Sequence, residues 1–282
     1  MRRLLVLVAA VLLSLVVIVA TFCHATLQVP RRLGAAPPNA KTVTISAADQ
    51  AHLDAWWLEP AAPNGNCVAV LHGIADSRVG SVGFAPMFLH EGYRVLVPDS
   101  RAHGTSGGQY VTFGLIEKDD ILRWAQWMKQ AGCNKLYALG ESLGASVLIQ
   151  AAELQPVFAA IVAECPYADL REVAEYRMRH ELGMPSIVAS ALIGSAMIYA
   201  RFIDGLKLSE VSPKDSIVHE STPILLIHGL ADNRTPPYNS QLLAQANPRN
   251  ELWLVAKAPH VGASRVAPRE FRKRVLTWFA EH

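Results

Sequence analysis

The chain has 282 residues, 51% of them hydrophobic, and a formal net charge of +2 at pH 7. This length and apolar content allow one sizeable buried core. A charge so close to balance gives no electrostatic argument for nucleic-acid binding. The 10 His residues are scattered without metal-ligand spacing, so the sequence predicts no metal site.

An apolar segment near the amino terminus predicts a membrane helix. Residues 1–3 carry two Arg and precede an uncharged run, 4–22, which spans about 28 Å as a helix, close to the hydrocarbon thickness of a bilayer. Because positive residues stay cytoplasmic, the rest of the chain is expected across the membrane, in the periplasm or at the cell surface. We expect an uncleaved signal anchor; a signal peptide cleaved near His24-Ala25, releasing a secreted protein, is the alternative.

Residues 23–40 contain Arg31, Arg32 and Pro37-Pro38, a composition that predicts a linker between the membrane and a domain over 41–282. The domain opens with two segments, Lys41–Ser46 and His52–Leu58, in which polar and apolar residues alternate. This alternation predicts an antiparallel pair of strands.

Six apolar runs predict strands of a mostly parallel sheet, and Cys67–Leu71, Tyr93–Val97 and Pro223–His228 show the pattern of strands buried on both faces. The six runs are Cys67–Leu71, Tyr93–Val97, Leu136–Leu139, Phe158–Ala163, Pro223–His228 and Glu251–Ala256. Between them, helical spacing predicts helices over Phe84–Glu91, Glu117–Gln130, Ala145–Ala152 and Pro268–Phe279. The predicted fold is therefore α/β, with a mostly parallel eight-stranded sheet flanked by helices.

The alternation lapses between the sixth and seventh predicted strands, where we expect a helical cap insertion at about 167–220. Asp169–Glu181 predicts a charged amphipathic helix, and Met184–Ile203 is apolar apart from Arg201. A membrane crossing at the second segment would put Ser142 and every residue after 204 on opposite sides of the membrane, although residues from both parts are expected at one edge of the sheet. A cap whose apolar face lines an acyl pocket or touches lipid therefore fits better. A buried core helix is the alternative.

Gly140-Glu141-Ser142-Leu143-Gly144 lies between a predicted strand and a predicted helix. That context makes the G-x-S-x-G pattern a nucleophile elbow, a tight turn that holds the serine in strained backbone geometry. Two further residues follow the carboxyl ends of later strands, namely Asp232 and His260. Loops after parallel strands gather at one edge of a sheet, so the three side chains are expected to meet there.

The order Ser, Asp, His along the chain resembles that of α/β-hydrolase-fold serine hydrolases. The resemblance covers about Lys41 to His282, and extends to bacterial membrane-associated esterase or peptidase-like members that share a D-x-R-x-x-G-x-S-x-G loop. It is carried by motifs that follow strand ends: His72-Gly73, Asp99 to Gly108, the Ser142 elbow, His228 to Pro236, and His260. His103 departs from the usual pattern of the loop.

The resemblance implies that Ser142 is the nucleophile, His260 the general base and then acid, and Asp232 the residue that orients His260. The backbone N–H groups of Leu143 and Ile74 would form the oxyanion hole, with Ala75 as the alternative second donor. It implies no cofactor.

Several residues keep a second interpretation. Asp232 could instead cap a helix, in which case Glu164 or Asp169 would be the acid. His72, His103 and Glu141 are candidates for the substrate pocket, although His72 and His103 suit a role in bracing loops, and Asp99 suits a hydrogen-bond acceptor at a strand end.

Cys67 and Cys133 stand just before two strands expected to be parallel neighbours, so their thiols could pair in an oxidising compartment or stay unpaired. Cys165 has no evident partner.

The most direct prediction for function is hydrolysis of a small-molecule carboxylic ester, including lipid or acyl esters, through an acyl-Ser142 intermediate. A serine peptidase or amidase of the same fold is the second hypothesis, and a catalytically silent, membrane-anchored binding protein is the third. The sequence does not predict the natural substrate or the oligomeric state.

Overall fold

The computed structural model describes residues 1–282. Its centre is one eight-stranded sheet in the order β1-β2-β4-β3-β5-β6-β7-β8. The strands are β1 (Lys41–Ser46), β2 (His52–Leu58), β3 (Cys67–Leu71), β4 (Arg94–Pro98), β5 (Leu136–Glu141), β6 (Ala160–Glu164), β7 (Ile224–Gly229) and β8 (Glu251–Val255). Only β2 runs antiparallel to its neighbours, β1 and β4, and all other pairs are parallel. The predicted fold class is confirmed.

Eleven α-helices surround the sheet. They are α1 (Arg2–Leu27), α2 (Arg78–Ser81), α3 (Ala85–His90), α4 (Glu117–Gln130), α5 (Leu143–Leu154), α6 (Leu170–Leu182), α7 (Ser186–Ile203), α8 (Pro213–Val218), α9 (Tyr238–Ala246), α10 (Ala263–Val266) and α11 (Pro268–Glu281). Two short 3₁₀ helices cover Val82–Phe84 and Leu208–Glu210.

The central strands are apolar throughout because both of their faces are covered. In β3, Ala69 and Leu71 join a core that includes side chains of α4 and α5, whereas Val68 and Val70 face the core formed with α3 and α11. All five residues of β3 are buried. Burial on both faces explains why continuous runs, rather than alternating ones, predicted these strands.

Helices α6 and α7 pack against each other between β6 and β7, whereas α8 packs against α5 and α9. α6 begins after Asp169, whose side chain accepts a hydrogen bond from Glu172 N, and ends at Gly183 in the left-handed conformation. α7 is not the buried core helix that was the alternative, since only 28% of it is buried. Its exposed apolar residues include Ile187 and Phe202, at 79% and 77% exposure.

Helix α1 differs from the predicted boundary between membrane segment and linker. It is long and apolar enough to cross a membrane, and none of its most apolar window is buried. The helix continues to Leu27, however, so the first residues of the expected 23–40 linker are helical. Cys23 and Leu27 are 2% and 1% exposed, because this end of α1 packs against α7 and the loop before α4.

Candidate active site

The turn between β5 and α5 places Ser142 at the carboxyl edge of the sheet. Its backbone has φ +51° and ψ −110°, a strained conformation for a residue with a side chain. Flanking glycines make the turn possible: a Cβ at Gly140 would lie 2.6 Å from Ala145 N, and one at Gly144 would lie 2.8 Å from the carbonyl oxygen of His72. The turn therefore exposes the hydroxyl group of Ser142, and it is too tight for a side chain at either flanking glycine.

The structure brings Ser142, His260 and Asp232 together. Ser142 Oγ lies 2.9 Å from His260 Nε2, and His260 Nδ1 lies 2.6 Å from Asp232 Oδ2. A carboxylate can only accept, so the ring nitrogen facing Asp232 carries the proton and the other nitrogen is free to accept the serine hydroxyl proton. The three residues follow β5, β8 and β7, so the parallel sheet itself brings them to one edge.

Asp232 is held by several donors. Its Oδ1 accepts hydrogen bonds from the backbone N–H groups of Arg234 and Thr235, each at 2.9 Å. His228 Nε2 lies 3.3 Å from Oδ2 and also donates to the Thr235 carbonyl oxygen at 2.7 Å. Burial raises the pKa of Asp232, but the hydrogen bonds from His228 and His260 outweigh it and bring the pKa well below its usual range. The group beside His260 is therefore a carboxylate.

The two alternative acids are engaged elsewhere. Glu164 Oε1 accepts a hydrogen bond from Ala263 N at 2.9 Å, and Asp169 caps α6. Sequence reasoning missed His228, the second imidazole on Asp232. Its position at the end of β7, directly before the loop that carries Asp232, was the available signal.

Two backbone N–H groups beside the pocket at Ser142, those of Leu143 and Ile74, are the candidates for an oxyanion hole. Leu143 begins α5, where the first amides have no partner inside the helix. Ile74 N makes no hydrogen bond within the protein, whereas Ala75 N donates to His103 Nε2 at 3.2 Å. A Cβ at Gly73 would lie 3.4 Å from Ser142 Cβ, which shows how closely this loop approaches the elbow. Of the two amides considered for the second donor, only that of Ile74 is free.

Of the two roles considered for His72 and His103, the bracing of loops fits the structure, since neither residue lines a pocket around Ser142. Both are completely buried, with ring centroids 4.9 Å apart. His72 Nδ1 donates to Gly73 O at 2.7 Å and Nε2 accepts from Ser100 N at 3.0 Å. Burial lowers the pKa of His72 to about 3 and also lowers the pKa of His103. The two neutral rings brace the Gly73–Ala75 loop from beneath.

The loop after β4 is fixed by buried charges. Asp99 accepts hydrogen bonds from the backbone N–H groups of Arg78 and Thr105, at 2.8 and 2.9 Å, which fits the role of strand-end acceptor. Arg101 makes two hydrogen bonds to Asp120 of α4, at 2.7 and 2.9 Å, with both side chains almost completely buried. This pair ties the loop that carries His103 to the helix beneath it.

Ser142 lies at the junction of two cavities. An apolar pocket of about 290 Å³ extends between α1, α6 and α7, and 15 of its 20 lining residues are hydrophobic. A smaller polar pocket of about 210 Å³ lies on the other side. Its lining includes Asp76, Glu141, Arg177, Arg234 and His260. A substrate with one apolar and one polar part would fit across the serine.

Of the three predicted pocket candidates, Glu141 alone lines a cavity at the site. Burial, followed by the nearby charge of Glu164, raises the pKa of Glu141 to about 8. At neutral pH this carboxyl group is therefore mostly protonated, and it adds little negative charge to the polar pocket.

The Cys67 and Cys133 side chains form a disulfide, with their Cα atoms 5.7 Å apart. It joins the amino ends of β3 and β5, at the opposite end of these strands from Ser142. Cys165 is unpaired, and with His228 and Asp232 it forms a cluster in which the nearest ligand atoms lie within 4.8 Å of one another. These atoms are already hydrogen-bonded, since Cys165 Sγ accepts from Val261 N and His228 bonds Ser240 and Thr235. The cluster therefore offers a metal no free imidazole nitrogen.

A parallel sheet with a serine elbow and its neighbouring His and Asp at the carboxyl edge defines the class of α/β-hydrolase-fold serine hydrolases, and the resemblance found in the sequence is confirmed. The chain belongs to the prolyl oligopeptidase family, which matches residues 81–282. The match includes Ser142, Asp232 and His260.

Individual relatives and solved structures agree with this fold and family. The chain is 28% identical over 215 residues to the uncharacterized protein YqkD of Bacillus subtilis, an alignment covering 74% of this chain and 70% of YqkD. Esterase Pf2001 of Pyrococcus furiosus superposes with a TM-score of 0.74 at 27% identity, covering 91% of this chain and 97% of the esterase. The α/β-hydrolase GrgF from Penicillium sp. sh18 shares the fold, with a TM-score of 0.69 at 18% identity over 86% of this chain and 98% of GrgF.

Proposed function

We propose that this protein is a membrane-anchored serine esterase that hydrolyses carboxylic esters with apolar acyl groups. The observation that carries the proposal is the hydrogen-bonded series Ser142, His260 and Asp232 at the mouth of an apolar pocket. The similarity to an esterase over nearly the full chain supports the same reaction type.

In the proposed mechanism, His260 Nε2 takes the hydroxyl proton of Ser142 as Oγ attacks the ester carbonyl carbon. Negative charge develops on the carbonyl oxygen and is stabilised by the N–H groups of Leu143 and Ile74. The His260 imidazolium, paired with Asp232, then protonates the leaving alcohol as the carbon–oxygen bond of the ester breaks. An acyl-Ser142 intermediate remains.

Water completes the cycle. His260 Nε2 removes a proton from a water molecule that attacks the acyl carbon, and returns that proton to Ser142 Oγ as the acid leaves. Every group in these steps belongs to the chain itself. Each cavity holds one part of the ester in this proposal. The acyl chain lies in the apolar pocket, and the alcohol part lies in the polar pocket.

A peptidase or amidase activity is the second candidate, because the chain belongs to the prolyl oligopeptidase family. The lining of the apolar pocket favours esterase activity on apolar acyl groups, since 15 of its 20 residues are hydrophobic. A panel of p-nitrophenyl esters beside aminoacyl p-nitroanilides, assayed with the full chain in detergent micelles, separates the two. We expect ester hydrolysis that Ser142→Ala abolishes; faster turnover of the anilides would favour the peptidase instead.

The domain is placed outside the cytoplasm by this proposal. Arg2 and Arg3 precede α1 and would stay inside, and a disulfide between Cys67 and Cys133 suits an oxidising compartment. Protease added to intact spheroplasts should digest the domain, and thiol labelling without reductant should leave these two cysteines unmodified. Full protection of the domain from the protease would contradict this topology.

A further inference from the structure

The last two turns of α1 are docked on the domain. Val111 N donates to the carbonyl oxygen of Leu27 at 2.9 Å, and Cys23 Sγ lies 3.7 Å from Ala196 O of α7. His24 stacks on Tyr110, with ring centroids 5.9 Å apart, and its Nε2 lies 3.6 Å from Asp204 Oδ1. These contacts come from two separate parts of the domain, the loop before α4 and α7 with its C-cap residue Asp204, so they fix the helix end in position as well as in direction.

The docked turns also enter the cavity at the serine. Phe22, Cys23, Thr26 and Leu27 line the same apolar pocket as Ser142. Residues of α7, including Ile193 and Met197, line that pocket too, so the cavity is enclosed partly by the domain and partly by the membrane helix. Without α1 this side of the pocket would be open to solvent.

We propose that the end of α1 is a wall of the acyl pocket, so that the membrane helix helps to select esters with medium or long aliphatic acyl chains. This inference rests on the proposed esterase function. An acyl chain gains binding free energy with each methylene group that it buries, and that gain needs apolar surface on both sides of the chain. The α1 wall supplies one of those surfaces.

The inference also bears on the fate of the helix. Cleavage near His24-Ala25 would remove Phe22 and Cys23 and leave the pocket without half of its α1 lining. The mature protein therefore retains α1. Intact-mass measurement of protein purified from membranes should give a chain that still contains α1. A mature amino terminus at or beyond Ala25 would overturn the inference.

A pair of neighbouring substitutions tests the wall directly. Thr26 is exposed and lines the pocket, whereas Ala25 is equally exposed and does not. Thr26→Trp should fill the pocket at its α1 side and lower the ratio of kcat/KM for p-nitrophenyl decanoate over acetate by about tenfold or more. Ala25→Trp carries the same bulk on the same turn and should leave that ratio at the wild-type value. Equal ratios in both variants would overturn the inference.

A binding measurement keeps the two proposals separable. A fluorescent long-chain fatty acid should bind the full chain in micelles, and Thr26→Trp should weaken binding by about tenfold relative to Ala25→Trp. If the wild type binds the probe in this way but hydrolyses no ester, the esterase proposal fails and the wall stands. If it hydrolyses esters but both variants bind the probe alike, the wall fails and the esterase stands.

Discussion

The proposed catalytic edge, formed by Ser142, Asp232 and His260, and the helical cover, formed by α6, α7 and the end of α1, are built differently. Each residue of the edge follows a strand of the sheet, and hydrogen bonds join the three side chains in series. The cover packs through apolar side chains and leaves much of its own surface exposed, as Ile187 and Phe202 show.

This difference in construction suits two different tasks, the chemical reaction at the edge and the selection of substrate by the cover. Strand ends in a parallel sheet fix the positions of reacting atoms, and small displacements of such atoms are costly in rate. A cover of apolar helices encloses a chain-shaped volume whose size can change without moving those atoms. We expect substitutions at the edge to affect catalysis or folding, and substitutions in the cover to affect the choice of substrate.

The largest effect is expected when the edge loses charge but keeps its shape. Asp232→Asn removes the carboxylate that holds the proton on His260 Nδ1, so the ring can adopt the wrong tautomer, and kcat should fall by about 10⁴-fold. Steady-state kinetics with p-nitrophenyl butyrate measures the change.

Asp169→Asn is the matched control, because Asn also caps a helix and Asp169 does not contact His260. It should keep nearly wild-type activity. A large loss of activity in Asp169→Asn, with little loss in Asp232→Asn, would mean that Asp169 and not Asp232 orients His260, which would contradict this account.

The buried pair beneath the edge should govern folding. Arg101→Ala leaves Asp120 as an unpaired buried carboxylate and should lower the free energy of unfolding by about 3–5 kcal/mol. Arg123→Ala, on the exposed side of α4, should change it by less than about 0.5 kcal/mol. Urea denaturation followed by circular dichroism gives both values, and similar values for the two variants would refute the structural role of the pair.

Much of the edge could be predicted from sequence because its determinants are local. The glycines of the elbow and the apolar strands before Ser142, Asp232 and His260 are visible in short windows, and topology then dictates that strand ends meet. The cover could not be predicted in the same way. The extension of α1 to Leu27 depends on contacts with α7, far away in the chain, and the composition of 23–40 gave no sign of them.

Within the site, too, contacts between distant parts of the chain could not be predicted from short stretches of sequence. His72 and His103 follow strand ends, which left a substrate-pocket role open beside the bracing of loops, because the depth of burial of a side chain depends on the loops packed over it. His228 was missed for a related reason, since the approach of its ring to Asp232 requires the Asp232 loop to fold back over the end of β7.

The disulfide should stabilise the domain without tuning the edge. It closes a loop between residues separated by 66 positions, at the end of the sheet away from Ser142, so replacing both Cys67 and Cys133 with Ala should cost about 2–4 kcal/mol. Thermal unfolding with and without dithiothreitol measures this. Reductant should lower the wild-type midpoint and leave that of the double variant unchanged; an equal response of both proteins would contradict the assignment.

The smallest effect concerns pH and the polar pocket. Burial raises the pKa of Glu141 from 4.5 to about 8, so between these pH values the unfolded state loses a proton that the folded state keeps. Stability should therefore fall as pH rises through this window. Glu141→Gln should reduce the fall between pH 5 and pH 8 by about 1–3 kcal/mol in urea titrations.

Glu153 lies exposed on α5 and provides the comparison. Glu153→Gln should leave the pH dependence of unfolding as it is in the wild type. If Glu141→Gln behaves in the same way, the carboxyl group of Glu141 is solvated and ionises normally.

Covalent trapping tests the central claim most directly. The full chain in micelles, treated with a fluorophosphonate and digested, should carry the phosphonyl group on Ser142, as located by tandem mass spectrometry, and His260→Ala should slow that labelling by at least about 100-fold. Folded wild-type protein that remains unlabelled, or that is labelled at another residue, would contradict the claim that Ser142 is an activated nucleophile.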